Sequence, residues 1–210
     1  MVDNPYHSGL DKNTANYTAL SPLSFLERAK DVYPEYPSIV YGKTSYQWQQ
    51  TSERCVRLAS ALRAIGIEKN QTVAIIAPNI PPMFEAHFGV PMSGAVLNAI
   101  NTRLDAKSIL YILEHSEARV LIADTEYSKT LAVLPQLKEP PIVIDIEDPF
   151  VTDGERLGTI EYEEFLQTGD PHYNWQRPQD EWDAISLNYT SGTTGNPKGC
   201  LLYTSDAADE

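Results

Sequence analysis

The residues best suited to hold a phosphate chain lie in one ten-residue stretch, TSGTTGNPKG, from Thr190 to Gly199. Its glycines let backbone N–H groups approach an anion and converge on it. Its hydroxyls can donate hydrogen bonds, and Lys198 supplies a mobile positive charge. Residues 184–189 form an alternating apolar run, which predicts a strand immediately before this stretch. The pattern therefore predicts a polyphosphate-binding loop at the end of a strand.

Two better-known phosphate loops do not fit this spacing. A Walker A loop requires G-x-x-x-x-G-K-[ST], but Gly192 and Gly195 are too close together and Pro197 precedes the lysine. A dinucleotide-binding fingerprint requires G-x-G-x-x-G, which this stretch lacks. The alternative to phosphate binding is a solvated surface loop rich in Ser, Thr and Gly.

The stretch resembles the phosphate-binding loop of the adenylate-forming, or AMP-binding, superfamily. This superfamily includes acyl-CoA synthetases, aryl-CoA ligases, luciferases and the adenylation domains of peptide synthetases. The match runs through Tyr189–Gly195 and Pro197–Gly199. Residues 77–104 and 109–124 are also similar to acyl-CoA synthetases, so the resemblance covers most of the chain from about Leu20 to Gly199. In detail it is nearest to bacterial short- and medium-chain fatty acyl-CoA ligases, including those that activate methylthio-propionate.

The resemblance implies a two-step activation of a carboxylic acid, with ATP, Mg²⁺ and coenzyme A as co-substrates or cofactors. The acid would attack the α-phosphate of ATP to give an acyl-adenylate, and the coenzyme A thiol would then displace AMP. Lys198 would be the catalytic cation that neutralises the departing pyrophosphate, and Thr193 or Thr194 would lie near the magnesium ion. The implied nucleotide-binding residues are Thr190, Ser191, Gly192, Thr193, Thr194, Gly195, Lys198 and Gly199.

In relatives, the adenine, ribose and acyl sites and the mobile C-terminal domain follow this loop. We therefore expect the chain to be the N-terminal portion of an adenylation domain, residues 1–199, and to be inactive as a ligase by itself. One alternative is a complete short protein that only binds a nucleotide or a partner. Another is a different adenylate-forming enzyme, such as an aryl-CoA ligase or a peptide-synthetase adenylation domain.

Residues 200–210, CLLYTSDAADE, resemble the translation of a transposon-end adapter used to prepare sequencing libraries. One reading frame of that adapter gives the same eleven residues. We therefore predict that this segment is not biological. The alternative is a natural acidic tail.

Composition is that of an ordinary globular chain, with 42% hydrophobic and 21% charged residues. The net charge of −13, or −10 without the three acids of residues 200–210, disfavours nucleic acid or an anionic membrane as a partner. Cys55 and Cys200 give neither a disulfide framework nor metal-ligand spacing, which favours a reduced cytoplasmic setting. The sequence predicts neither a signal peptide nor a membrane span. The oligomeric state cannot be read from it.

Strand and helix patterns alternate along the chain, which predicts an α/β fold with a mostly parallel, incomplete sheet flanked by helices. Helices are expected from Ser21-Pro22, behind a Thr44–Gln47 capping box, after Asp105 and over Tyr127–Leu134. Residues 147–181, with a short helix near Tyr162–Leu166, are expected to be a connector rather than a core element. Strands are predicted at residues 38–41, 72–77, 95–100, 120–123 and 142–146.

Other polar residues receive structural interpretations. The histidines are scattered, and His87, among apolar residues on a helical face, is predicted to be packed in the core. Asn79 and Arg103 border predicted strand ends and could reach a ligand, although a structural role is favoured. The acidic cluster at residues 161–164 is predicted to be a solvated face.

Overall fold

A computed structural model describes residues 6, 9, 11–13, 15–190 and 196–206 of the chain. A seven-stranded sheet forms its centre, in the order β7-β6-β5-β3-β4-β8-β9, and a separate two-stranded sheet consists of β1 and β2. All neighbours in the large sheet are parallel except β8 and β9. The strands are β1 (Pro37–Tyr41), β2 (Thr44–Gln47), β3 (Thr72–Ile76), β4 (Val96–Ala99), β5 (Val120–Asp124), β6 (Ile142–Ile146), β7 (Ile160–Glu161), β8 (Ala184–Thr190) and β9 (Lys198–Tyr203).

The helices cover both faces of this sheet, as expected for parallel strands. They are α1 (Leu23–Val32), α2 (Trp48–Ala64), α3 (Pro81–Met92), α4 (Ala106–His115), α5 (Ser128–Leu131) and α6 (Tyr162–Gln167). Helices α2, α3 and α6 pack on one face, and α4 and α5 pack on the other. Helix α1 packs on the outer side of α2 and α3. The predicted α/β class with a mostly parallel sheet is confirmed.

The helix boundaries follow local signals in the sequence. Asp105 caps α4 as predicted, since its Oδ1 accepts a hydrogen bond from the Ser108 N–H at 2.7 Å. Gly66 follows α2 with a φ of +90°, the left-handed conformation that a helix end favours in glycine. Among the described residues, no helix is both long and apolar enough to cross a membrane.

Two predictions about local structure are wrong. Thr44–Gln47 is strand β2, and the capping box at the start of α2 is instead formed by Gln47 and Gln50. The predicted helix over Tyr127–Leu134 is broken into α5 flanked by short 3₁₀ turns. Strand β2 and the pieces of the broken helix are each only three or four residues long, so tertiary contacts decide their conformation more than the local sequence pattern does.

The connector interpretation of residues 147–181 is also wrong in part. β7 pairs with β6 at the edge of the sheet, and α6 inserts Tyr162, Phe165 and Leu166 into the main core. The predicted solvated face is confirmed for Glu163 and Glu164, which are exposed, while Glu161 is half-buried; Glu161 also caps α6, and Glu163 forms an ion pair with Arg54. A six-residue helix gives little periodic signal, which is why its core role was missed.

Candidate phosphate-binding site

The predicted loop begins after Thr190, where β8 ends at the carboxyl edge of the parallel strands, and β9 begins at Lys198. Because β4 and β8 are parallel, the end of β8 at Thr190 lies at the same edge as the residues that follow β4. The segments after β3 and β4 lead to helices on opposite faces of the sheet. In open α/β sheets, such a change of direction at the carboxyl edge opens a crevice where ligands bind.

Thr190 and Lys198 form the base of this loop. They are opposite partners in the antiparallel pairing of β8 and β9, so their side chains leave the same face of the hairpin. Both residues are exposed, and the Lys198 ammonium makes no ion pair with the described residues. An exposed, uncompensated ammonium beside a threonine hydroxyl can bind an anionic oxygen.

Ser191, Gly192, Thr193, Thr194 and Gly195 lie outside the described residues. Their assignment to nucleotide, and that of Thr193 and Thr194 to magnesium, therefore stays a prediction. The structure brings together the two ends of the predicted site, Thr190 and Lys198, with Gly199 immediately beside them.

Gly199 has a packing role that the phosphate-loop pattern did not indicate. It lies opposite Tyr189 in the hairpin. A Cβ atom at residue 199 would lie 3.2 Å from Leu187 Cδ1 and 3.5 Å from the Tyr189 ring. A side chain there would be tight only against the tip of Leu187, which would have to shift by a few tenths of an ångström, and would meet the Tyr189 ring at an ordinary contact distance.

Tyr189 joins the end of β8 to helix α4. Its hydroxyl lies 2.7 Å from His115 Nδ1, at the last residue of α4, and the two rings meet edge to face at 5.7 Å between centroids. The Tyr111 ring lies on the other side of His115, with centroids 5.4 Å apart. Partial burial raises the pKa of Tyr189, and nearby Tyr111 contributes to the same shift.

Asn98 on β4 makes a second contact with β8. Its Nδ2 donates to the Leu187 carbonyl at 2.7 Å, and the side chain is buried, with 1% exposed. Its Oδ1 has no hydrogen-bond partner among the described residues. Neither Asn98 nor His115 was identified from the sequence, because their partners lie more than 70 residues away.

Other polar residues of the carboxyl edge have structural partners or face solvent. Asn79 and Arg103, after β3 and β4, are exposed, and the Arg103 backbone N–H donates to Asn101 Oδ1. His87 was predicted to be packed in the core, but it is exposed on α3 and its Nδ1 lies 2.7 Å from the Met83 carbonyl oxygen. It takes part in the helix surface rather than the core, because the apolar face of α3 is formed by other residues.

Two carboxylates lie close together where β5 and β6 end. Asp124 is buried; its Oδ1 accepts from the Glu126 N–H at 2.8 Å, and its Oδ2 has no partner among the described residues. Asp148 accepts a hydrogen bond from the Tyr41 hydroxyl at 2.6 Å. Burial, and secondarily the charges of Asp148 and Glu126, raise the pKa of Asp124 to about 6. Burial and the Asp148 contact raise the pKa of Tyr41 to about 12.

The family model for AMP-binding enzymes matches residues 26–208. The chain belongs to the AMP-binding enzyme family. An acetate/butyrate–CoA ligase of Arabidopsis thaliana, described as peroxisomal, is 49% identical to this chain over 207 residues, and the match covers 92% of this chain. An acetate–CoA ligase of Humulus lupulus is 47% identical over 206 residues, again with 92% of this chain covered.

The fold of this AMP-binding chain is also found in solved structures. An anthranilate CoA ligase in complex with anthranoyl-AMP superposes with a TM-score of 0.82 at 23% identity, covering 93% of this chain and 37% of that one. At this identity the comparison shows the fold. The chain spans 36% of the length of the Arabidopsis and Humulus relatives.

Proposed function

We propose that the AMP-binding protein to which this chain belongs activates a carboxylic acid through an acyl-adenylate and transfers it to coenzyme A. The observation that carries this proposal is the Thr190–Lys198 pair at the base of a TSGTTGNPKG loop, at the carboxyl edge of the sheet. The names of the two plant relatives, both CoA ligases, support the same chemistry.

In the first half-reaction, a carboxylate oxygen attacks the α-phosphorus of ATP. A new phosphorus–oxygen bond forms, the bond to the bridging oxygen breaks, and pyrophosphate leaves with the bonding electrons. Negative charge therefore builds up on the β- and γ-phosphates. Lys198 and the donors of the loop, beginning at Thr190, stabilise that charge, which is the role of preorganised donors in phosphoryl and adenylyl transfer.

In the second half-reaction, the thiol of coenzyme A loses its proton and its sulfur attacks the acyl carbon of the adenylate. AMP leaves and the thioester remains. No pyrophosphate takes part, so Lys198 contributes mainly to the first half-reaction. This difference between the two steps makes the role of the loop testable.

Magnesium is assigned to the hydroxyls of Thr193 and Thr194, which lie outside the described residues. Across the part of the chain that the structure describes, His, Cys, Asp and Glu form no group of three or more that could hold a metal ion. The metal, when bound, would neutralise phosphate charge. Its protein ligands stay a prediction.

The acids named in the two relatives are acetate and butyrate, which agrees with the predicted short- or medium-chain acyl substrate. A cytoplasmic location is part of the proposal, although the Arabidopsis relative is described as peroxisomal. The proposed partners are the acid, ATP and coenzyme A.

Product formation by the full-length gene product tests this function. The enzyme is incubated with ATP, Mg²⁺, coenzyme A and acetate, butyrate or a medium-chain acid, and thioesters are identified by mass spectrometry. We expect an acyl-CoA and an equal amount of AMP for at least one acid. Release of ADP and phosphate, or no product with any acid, would contradict the proposal.

A further inference from the structure

The backbone attaches strand β8 only weakly to the parallel part of the sheet. Within the described residues, β4 and β8 are in register at one pair, Leu97 and Ser186. By comparison, β5 and β6 pair at five successive positions. The end of β8 leads directly into the phosphate-binding loop, so its position must be fixed by something besides this short ladder.

Two side-chain hydrogen bonds hold the last residues of β8, one from strand β4 and one from helix α4. Asn98 binds the Leu187 carbonyl from the neighbouring strand, and His115 binds the Tyr189 hydroxyl from helix α4, both at 2.7 Å. Leu187 and Tyr189 lie three residues and one residue before Thr190. These contacts therefore hold the strand immediately before the loop begins.

The Tyr189 ring also lies beside β9. Gly199 is its partner in the hairpin, and a Cβ there would meet the ring at an ordinary contact distance of 3.5 Å. The His115 ring packs edge to face on the same phenol. Tyr189 thus connects α4 with both strands that carry the loop.

We propose that His115 is a positioning residue for the phosphate-binding loop, acting through the Tyr189 hydroxyl. The inference rests on the proposed function, since it assumes that the loop binds the polyphosphate of ATP. His115 lies in neither the loop nor its two strands; it is the last residue of α4, and its ring forms its hydrogen bond with Tyr189. Its effect must therefore pass through Tyr189.

The two half-reactions should respond differently to loss of this bond. A small displacement of the loop misplaces its donors around the departing pyrophosphate and slows adenylation, because catalysis depends steeply on such geometry. Thioester formation from preformed acyl-adenylate involves no pyrophosphate and should be unchanged. A purely structural effect of His115 would instead impair both half-reactions.

The test uses the full-length gene product carrying His115→Ala, His115→Asn, Tyr189→Phe and the double variant His115→Ala/Tyr189→Phe. His172→Ala is the matched control. His172 is also exposed, but its backbone N–H, rather than its ring, donates a hydrogen bond, to Asp170 Oδ1. We measure kcat and KM for ATP in pyrophosphate exchange, and thioester formation from added adenylate. His115 is exposed, so its variants should fold.

We expect His115→Ala and Tyr189→Phe each to lose about three- to tenfold in kcat/KM for ATP, the scale of one net hydrogen bond. The double variant should lose no more than either single variant, because both remove the same bond. His115→Asn should recover part of the loss, and His172→Ala should match the wild type.

An unchanged His115→Ala, multiplicative losses in the double variant, or equal losses in both half-reactions would overturn the inference while leaving the proposed function intact. A wild-type enzyme with no acid-dependent exchange would overturn the proposed function and, with it, this inference.

Discussion

Thr190 and Lys198 lie directly opposite each other where β8 and β9 close the hairpin that carries the predicted phosphate-binding loop. Opposite residues of an antiparallel pair share one face, so the lysine and the first hydroxyl of the motif are available to the same ligand. Tyr189, the next residue back along β8, lies opposite Gly199, and its side chain faces the other way and packs against α4. The hairpin therefore places the two predicted ligands on one face and the contact with α4 on the other.

Replacing the loop lysine should impair one half-reaction selectively. Lys198→Ala removes a charge-assisted contact, worth about 1.5–3 kcal/mol. If that contact tightens as pyrophosphate leaves, the rate of adenylation in the full-length enzyme should fall by roughly ten- to a thousandfold. Single-turnover formation of acyl-adenylate measures this rate.

Thioester formation from added acyl-adenylate is the control for this variant and should change far less. Equal losses in both half-reactions would show that Lys198 supports the fold or a domain motion instead. No loss in either would make the loop a polar surface turn.

The buried ion pair between α2 and α3 should be important for stability. Glu85 is fully buried and binds Arg54, while the Tyr162 hydroxyl donates to its Oε2 at 2.8 Å. Arg54→Ala leaves this carboxylate without its cation, which typically costs about 3–5 kcal/mol. Thermal unfolding should show a clear fall in Tm.

Arg119→Ala is the matched control, because Arg119 forms a largely exposed ion pair with Glu139. Exposed pairs contribute about 0–1 kcal/mol, so its Tm should stay close to that of the wild type. Equal shifts for the two arginine variants would contradict the buried-pair argument.

Asp124 should make the folded state less stable as the pH rises from about 4 to about 6. Its pKa in the folded protein is raised from 3.8 to about 6, so the folded state holds this proton more tightly than the unfolded state. Ionisation in that window therefore favours unfolding, and the cost is constant above it. Asp124→Asn should flatten this part of the pH profile and raise stability at pH 8 by about 1–2 kcal/mol.

Denaturant unfolding at several pH values measures this effect. Asp153→Asn, which changes an exposed carboxylate in a nearby loop, should keep the wild-type pH dependence. An Asp124→Asn profile that falls as steeply as the wild type between pH 4 and 6 would contradict the assignment.

The origin of residues 200–210 stays a prediction. Cys200 to Tyr203 pair with β8 as part of β9, and Thr204 is buried. This pairing does not decide the origin of the segment, since an apolar run can extend a hairpin whatever encodes it. Re-amplification of the gene from source DNA should give a different sequence after Gly199, and a stop codon directly after Glu210 would contradict the prediction.

Local sequence signals were sufficient for much of the fold. The buried strand Thr72–Ile76 and the Asp105 cap of α4 were predicted because a continuous apolar run and a capping side chain are properties of a few neighbouring residues. The short helix α6 was placed correctly along the chain, but its core position depends on packing against α2 and β6, which no local pattern reports.

The candidate site shows the same division between local and long-range information. The loop motif predicts Lys198 and Thr190 as phosphate ligands from ten consecutive residues, and that assignment stays a prediction. The His115–Tyr189 and Asn98–Leu187 contacts join residues 74 and 89 positions apart, so only the order of the strands and helices brings them together.

The most direct test of the account is acid-dependent exchange of pyrophosphate into ATP by the full-length enzyme, measured without coenzyme A. Exchange requires reversible formation of an acyl-adenylate and release of pyrophosphate at the loop. We expect labelled pyrophosphate to enter ATP only when a carboxylic acid such as acetate or butyrate is present, and Lys198→Ala to reduce that rate. Absence of exchange with every acid, or exchange that is independent of acid, would contradict the central claim.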